Sequence, residues 1–396
     1  MKNLSTVSIG IIGAGPQALT LVTHLLQKRK QWRDRLIVID PHGDWLRQWY
    51  QQFAALEIPH LRSPVVHHPD PHPYALRGFA ENRPDELFNP YDLPGTKLFE
   101  DFCTEVVKSW GLENRVYRGK VIKIVPCRGN FQLCLTDGEI INVRRVVLAT
   151  NQGEIQIPAW VNQIKTKYPQ DRLLHSQQVN LANLQLKDEH ILIIGGGLTS
   201  GHLAIGGVNR GAKITLMTRR DLQIKLFDAD PGWLGPKYLK GFNAELNWYR
   251  RWEMIQQARN GGSITPKISW ELRRSKNVEF WENCQVKEVQ WEEHKWRVIC
   301  SNGIEKEFER IWLATGTTFN VKNNPLLTEV LEAYPTDIIQ GLPVIDQYLR
   351  LPKSEFYFMG ALAGLQVGPV ARNLAGGRKA SEMIVEGMIK HSQIAV

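Results

Sequence analysis

Residues Val7 to Asp40 constrain this chain more than any other stretch. A β-branched run (Val7, Ile9, Ile11, Ile12) meets Gly13-Ala14-Gly15-Pro16-Gln17-Ala18; Leu19, Val22, Leu25 and Leu26 then recur at helical spacing, and a second apolar run closes on Asp40. This order predicts strand, glycine turn, helix and strand, the unit that cradles a dinucleotide. Gly13 permits the tight turn, Gly15 removes a side chain where a pyrophosphate must approach backbone N–H groups, and Ala18 keeps the helix close to the sheet. The partly positive helix N-terminus, with Pro16 and Gln17 in its first turn, then faces the phosphates. Asp40 is placed to accept hydrogen bonds from the hydroxyls of an adenosine ribose.

His190 to Arg220 repeats the device, with a strand at Ile191–Ile194, a turn Gly195-Gly196-Gly197-Leu198-Thr199-Ser200, and a second strand from Lys213 to Thr218. This second strand ends in Arg219-Arg220 where the first ended in Asp40. An acid suits a free ribose hydroxyl, whereas two guanidinium groups suit a 2′-phosphate, so the expected second nucleotide is NADPH. The competing reading is a solvated pair of arginines at a strand end. Residues 121 to 151 also align without a gap on residues 286 to 316. Phe131 falls on Trp296, Gly138 on Gly303, Leu148-Ala149-Thr150 on Leu313-Ala314-Thr315, and Asn151 on Gly316. A matching strand, turn and terminal strand after each fingerprint implies duplication, with the second nucleotide unit inserted into the first.

A chain of 396 residues exceeds what one hydrophobic core serves, which agrees with two units. With 43% hydrophobic and 22% charged residues, no run of eighteen apolar residues and no leader pattern at Met1, the expectation is a soluble cytoplasmic protein. The net charge of +9 comes from scattered basic residues without a nucleic-acid-binding motif, so anionic cofactors explain it better than nucleic acid. Cys103, Cys127, Cys134, Cys284 and Cys300 form no C-x-x-C pair, which argues against zinc and against a dithiol redox centre. His60, His67, His68, Asp70 and His72 lie in a proline-rich stretch, 41 to 95, without a rigid element to aim them at a metal, so no metal is expected. That stretch reads as an irregular excursion from the sheet.

Asn243 to Asn260 reads as a helix capped by Gly261, with Trp248 and Trp252 four apart, and packing is their expected role; a substrate cover or a peripheral membrane contact stays open. In the final segment a strand runs into Gly360, and Gly368-Pro369 is expected to open a helix against which a planar ligand lies.

Two fingerprints, two strand-ending motifs of the ATG kind and the C-terminal glycine junction together resemble the two-dinucleotide-binding flavoproteins over nearly the whole chain. The resemblance implies an α/β fold of the three-layer ββα type, in which a Rossmann-like FAD domain is interrupted by a Rossmann-like NAD(P)H domain. The implied boundaries are 1–165 for the first part of the FAD domain, 166–310 for the inserted domain and 311–396 for the return. It assigns Gly13, Gly15, Pro16, Gln17, Ala18 and Asp40 to FAD, and Gly195, Gly197, Leu198, Thr199, Ser200, Arg219 and Arg220 to NADPH. Thr315 and Gly316 of the second ATG motif, and Gly360 with Gly368, Pro369 and Arg372 beside the isoalloxazine, complete the implied cofactor set.

Within that superfamily the chain looks most like the class B flavin monooxygenases, including the lysine and ornithine N-hydroxylases. The pointers are Trp45 and Trp49, then Leu61-Arg62-Ser63-Pro64, and Leu174-His175-Ser176, which matches the end of an F-x-G-x-x-x-H-S element, and the resemblance adds Trp45, Trp49, Leu61 and Arg62 to the implied cofactor-binding residues. Pro169 and Asp171 stand where that element has Phe and Gly, and Asn151 replaces the first ATG glycine. The implied activity is NADPH oxidation through FAD, with oxygenation of a small nucleophilic substrate by a flavin C4a-hydroperoxide formed from O2. Ser63, His175 and Asn373 are the candidate polar catalytic residues. The rival readings are an NADPH-dependent flavin reductase serving a quinone or other acceptor, and a non-catalytic redox sensor.

Overall fold

A computed structural model describes residues 7–150 and 153–394. Strand β1 (Val7–Ile12) leads through the first glycine turn into helix α1 (Pro16–Lys28) and strand β2 (Leu36–Asp40). The 41–95 excursion holds helix α2 (Arg47–Ala55) and otherwise only short pieces, as its prolines require. Helix α3 (Thr96–Ser109) returns the chain to β3 (Val116–Arg118), followed by the meander β4 (Val121–Cys127), β5 (Asn130–Leu135) and β6 (Ile140–Leu148). The first sheet runs β3-β2-β1-β6-β5-β4. β1 lies in the middle and pairs in parallel with both β2 (Ile11 opposite Val38) and β6 (Ile11 opposite Val147).

The second unit begins with β7 (Leu173–His175) and the expected β8 (His190–Ile194), α4 (Leu198–Val208) and β9 (Lys213–Met217). Between β9 and the next strand lie α5 (Pro236–Ala244), α6 (Trp248–Arg259) and α7 (Pro266–Arg274). The single helix expected from Asn243 to Asn260 therefore divides. α5 ends at Ala244, and α6 starts afresh where the Asn247 side chain accepts from the N–H groups of Tyr249 and Arg250. Trp248 and Trp252 lie half-buried and pack against the first core. β10 (Val278–Trp281) follows, then the small antiparallel sheet β11 (Val286–Glu292), β12 (Lys295–Cys300) and β13 (Glu305–Phe308), then β14 (Arg310–Leu313). The five-stranded second sheet is parallel, in the order β7-β14-β8-β9-β10. A boundary at 310/311 would cut β14, whose residues all belong to this second sheet, so sheet membership carries the inserted unit to Leu313.

The chain then returns to the first sheet through β15 (Phe356–Phe358), which pairs in parallel with β6. It ends in α8 (Leu374–Ile394), which packs along α1. The duplication is visible residue by residue. β4 and β11 carry the same register irregularity, at Val121/Lys123 and Val286/Glu288, and the turn glycines Gly138 and Gly303 have φ of 88° and 84°. Asn151 lies outside the described residues.

Candidate functional site

The first glycine turn works as its sequence requires. Gly13 has φ +99°, and a Cβ there would come within 3.1–3.2 Å of the Ala149 and Thr150 backbone, so only glycine lets β1 turn beside the end of β6. Gly15, in contrast, has nothing within 4 Å of its Cβ position, which leaves open space before the α1 N-terminus. Asp40 holds the turn from the neighbouring strand end: its Oδ2 accepts from Ala14 N–H at 3.1 Å and its Oδ1 from His42 N–H at 2.9 Å. Gln17 ties α1 to the start of α8, donating through Nε2 to the carbonyls of Ala371 (3.0 Å) and Asn373 (3.4 Å). Its Oε1 is buried without a partner.

These residues line a cavity of about 1740 Å³, which also takes in Trp49, Leu61, Ser63, His67, Phe227, Asp228, Arg372 and Asn373. Drug-sized pockets hold roughly 300–1,000 Å³, so this one has room for an extended dinucleotide and a second molecule. Burial and the nearby Arg378 cation push the His67 imidazole down to about 4, so it is neutral at pH 7. Among the described residues no cluster of His, Cys, Asp and Glu could hold a metal. Asp70 accepts instead from Trp110 Nε1 and His72 N–H.

Several expected site residues have other work. Trp45 is buried in the core and donates through Nε1 to Leu112 O. Arg62 borders the cavity but spends its guanidinium on the inserted unit: Nε on Leu226 O, Nη1 on Asp228 (2.6 Å) and Ser263 O, Nη2 on Lys225 O and Ser263 Oγ. It is a clamp between the two units. Arg62→Lys keeps the charge with fewer donors, so the urea unfolding free energy should fall by about 2 kcal/mol; an unchanged midpoint would show the clamp to be idle. His175 ends β7 of the second sheet and is not in the cavity lining: its Nδ1 accepts from Gln177 N–H while Gln178 Oε1 accepts from its backbone N–H. Gly360 (φ +71°) begins a buried turn after β15. Gly368 (φ +94°) and Pro369 do not open a helix, because Ala371 N–H closes a turn onto Gly368 O and α8 starts only at Leu374. Pro369 O accepts from Arg259 Nη1.

The second turn is built like the first but is covered. Gly195 (φ +143°) presses against the Ala314 carbonyl, where any Cβ would collide. Leu198 and Thr199 open α4, and the Ser200 hydroxyl donates back to Gly197 O at 2.6 Å. A strap, Asn260–Ser263, crosses this turn: a Cβ on Gly262 would lie 2.8 Å from Gly197 Cα. Arg220 grips the strap, donating to Asn260 Oδ1 (3.0 Å) and to Asn260 O (2.5 Å), whereas Arg219 is exposed. Thr315 donates to Gln156 O, and Gly316 O accepts from Gln156 N–H, so this second ATG motif fastens the linker. The strap and the Arg62 clamp were invisible in the sequence. Their only trace there is the pair Gly261-Gly262, of which Gly261 reads as a helix cap.

Residues 10–153 match a family model described as FAD-NAD(P)-binding. No curated protein matches the sequence. Among solved structures, ornithine hydroxylase from Pseudomonas aeruginosa is 17% identical, with a TM-score of 0.76 over 98% of this chain and 100% of that one. The ornithine N-hydroxylase of Kutzneria sp. 744, solved with reduced FAD, NADP+ and L-ornithine, is 14% identical, with a TM-score of 0.78 over 98% and 100%. Bacillithiol disulfide reductase from Staphylococcus aureus is 16% identical, with a TM-score of 0.64 over 98% and 99%. The likeness establishes the fold: two Rossmann-like units in the arrangement of these flavoenzymes.

Proposed function

We propose that this chain is an FAD-dependent, NADPH-oxidising monooxygenase acting on a small nucleophilic substrate. The observation that carries the reading is the cavity itself, which joins an acid-ended glycine turn to the start of α8 and includes none of the five cysteines in its lining. The residues fit FAD: Gly15 leaves room for a pyrophosphate, and the buried, unpartnered Gln17 Oε1 is an acceptor awaiting a donor. Gly13, Gly15, Pro16, Gln17 and Asp40 would hold the adenosine and phosphate half, with Asn373 and the α8 N-terminus on the flavin side. When bound, FAD would accept hydride from NADPH and activate O2.

The chain's own part is to bind, orient and shield. Trp49, Leu61 and Phe227 give the cavity apolar walls, and Ser63 and Asn373 offer it side chains capable of hydrogen bonding. His67, held neutral, avoids placing a further cation in the wall. For the nucleotide to reach the second turn, the strap must release Arg220 from Asn260, after which Arg219 and Arg220 are free for a 2′-phosphate. Replacing both arginines by alanine should weaken NADPH relative to NADH by roughly 1.5–3 kcal/mol, read as the ratio of kcat/KM values; an unaltered ratio refutes the assignment.

The second reading, an NADPH-dependent reductase passing electrons to another acceptor, is favoured by the likeness to bacillithiol disulfide reductase. Oxygen consumption that rises with an added nucleophilic substrate and yields its oxygenated product supports the monooxygenase. NADPH oxidation driven only by a quinone or a disulfide supports the reductase. Among the described residues no helix is long and apolar enough to cross a membrane.

A further inference from the structure

Beside Asn373 the cavity wall is more basic than its own carboxylate can balance. Asp228 pairs through Oδ1 with Arg62 at 2.6 Å and through Oδ2 with Arg259 at 3.4 Å. Arg259 also donates to Pro369 O at 2.8 Å. Arg372 senses both Arg259 and Asp228 electrostatically, yet among the described residues it makes no hydrogen bond or ion pair. Three guanidinium groups thus share one carboxylate, and the one left over belongs to a residue that lines the cavity.

Arg372 is exposed and lines the cavity, yet the surrounding protein and the neighbouring Arg259 cation bring its pKa down to about 10. It stays cationic at neutral pH. Water solvates it in the open cavity, and a ligand that displaces this water must bring an anion to pair with the cation. Two features prepare the place for one: the planar fork matches a carboxylate bidentately, and the N–H groups of α8, which begins two residues later, add positive potential. The nucleotide's phosphates have their own receptors at the second turn, whose residues lie outside the cavity lining.

We propose that Arg372 determines substrate specificity by pairing with an oxyanion, in the simplest case a carboxylate, on the molecule being oxidised. The inference deepens the monooxygenase reading and rests on it: the substrate is an acid, held by its anionic end at Arg372. An ammonium group is disfavoured beside Arg372, so the nucleophile that reacts belongs at the other end of the molecule.

The test uses acetate as probe, titrated at constant ionic strength into the flavin-loaded oxidised protein, with the flavin difference spectrum and tryptophan fluorescence read together. The expected result is saturable acetate binding. Arg372→Gln should raise the half-saturation at least tenfold, Arg372→Lys should restore part of it, and NADP+ affinity should stay within twofold. No saturable binding, or equal binding by Arg372→Gln, overturns the proposal. So does a tenfold loss of NADP+ affinity with acetate binding intact, which would give Arg372 to the nucleotide's phosphates, and so does a loss of flavin content in Arg372→Gln. If the wild-type protein takes up no flavin but its fluorescence still reports Arg372-dependent acetate binding, the flavin reading fails and the anion site stands.

Discussion

Gly15→Glu is expected to yield a folded but colourless protein. The backbone at Gly15 has φ −76°, open to any residue, and a Cβ there meets nothing within 4 Å, so the chain accepts a side chain without strain. The same open space lies before the α1 N-terminus, where the pyrophosphate of FAD must come against free N–H groups. A carboxylate there fills the space and repels the phosphates, and a hundredfold loss of affinity, about 2.7 kcal/mol, is a conservative expectation. Gly13→Ala makes the contrasting case. At φ +99°, with the Ala149 and Thr150 backbone 3.1–3.2 Å from its Cβ, it should lower stability itself, by roughly 1–3 kcal/mol. Flavin absorbance per chain and thermal melting, measured on both variants, separate the two effects. Gly15→Glu purified with one flavin per chain would remove the cofactor from this turn.

How much of this was legible in the sequence depended on whether the signal was local. The glycine turns were readable because backbone conformation is written into single residues: Gly13 and Gly195 both adopt positive φ and both press on a neighbouring strand end. The duplication was readable for the same reason, down to the shared irregularity in β4 and β11. The partners of polar side chains were not. Arg62 lies 163 to 201 positions from the groups it holds, and nothing around it distinguishes a clamp from a phosphate ligand. Trp45 reads as a cofactor residue only through the resemblance to class B flavin monooxygenases, and its indole donates to Leu112 O instead. Arg220 sits where a 2′-phosphate would bind, but the strap that now occupies it arrives from beyond α6. In each case the residue type was informative and its partner was set by tertiary packing.

Acid should destabilise this protein steeply between pH 6.5 and pH 4. Burial is the leading cause that lowers His24, His67, His68 and His202 from 6.5 to about 4. The first three also face the Arg378 cation, with partial relief from Asp70 at His24 and His68, while His202 faces His60. In the unfolded chain each imidazole takes up its proton near pH 6.5, whereas in the folded chain it resists until about pH 4, so the unfolded state binds more protons throughout that window and stability falls as pH falls. A shift of this size corresponds to at most about 3 kcal/mol per histidine. Even half of the combined effect would rival the 5–15 kcal/mol by which a domain is typically stable. Urea midpoints should therefore be level from pH 7.5 to 7 and drop sharply by pH 5. His68→Gln, which removes one titrating group while keeping a side chain that can donate to Pro73 O, the present partner of His68 Nε2, should flatten the decline. A midpoint constant down to pH 5, or a variant with an unaltered pH profile, would mean that these imidazoles are not held neutral by the fold.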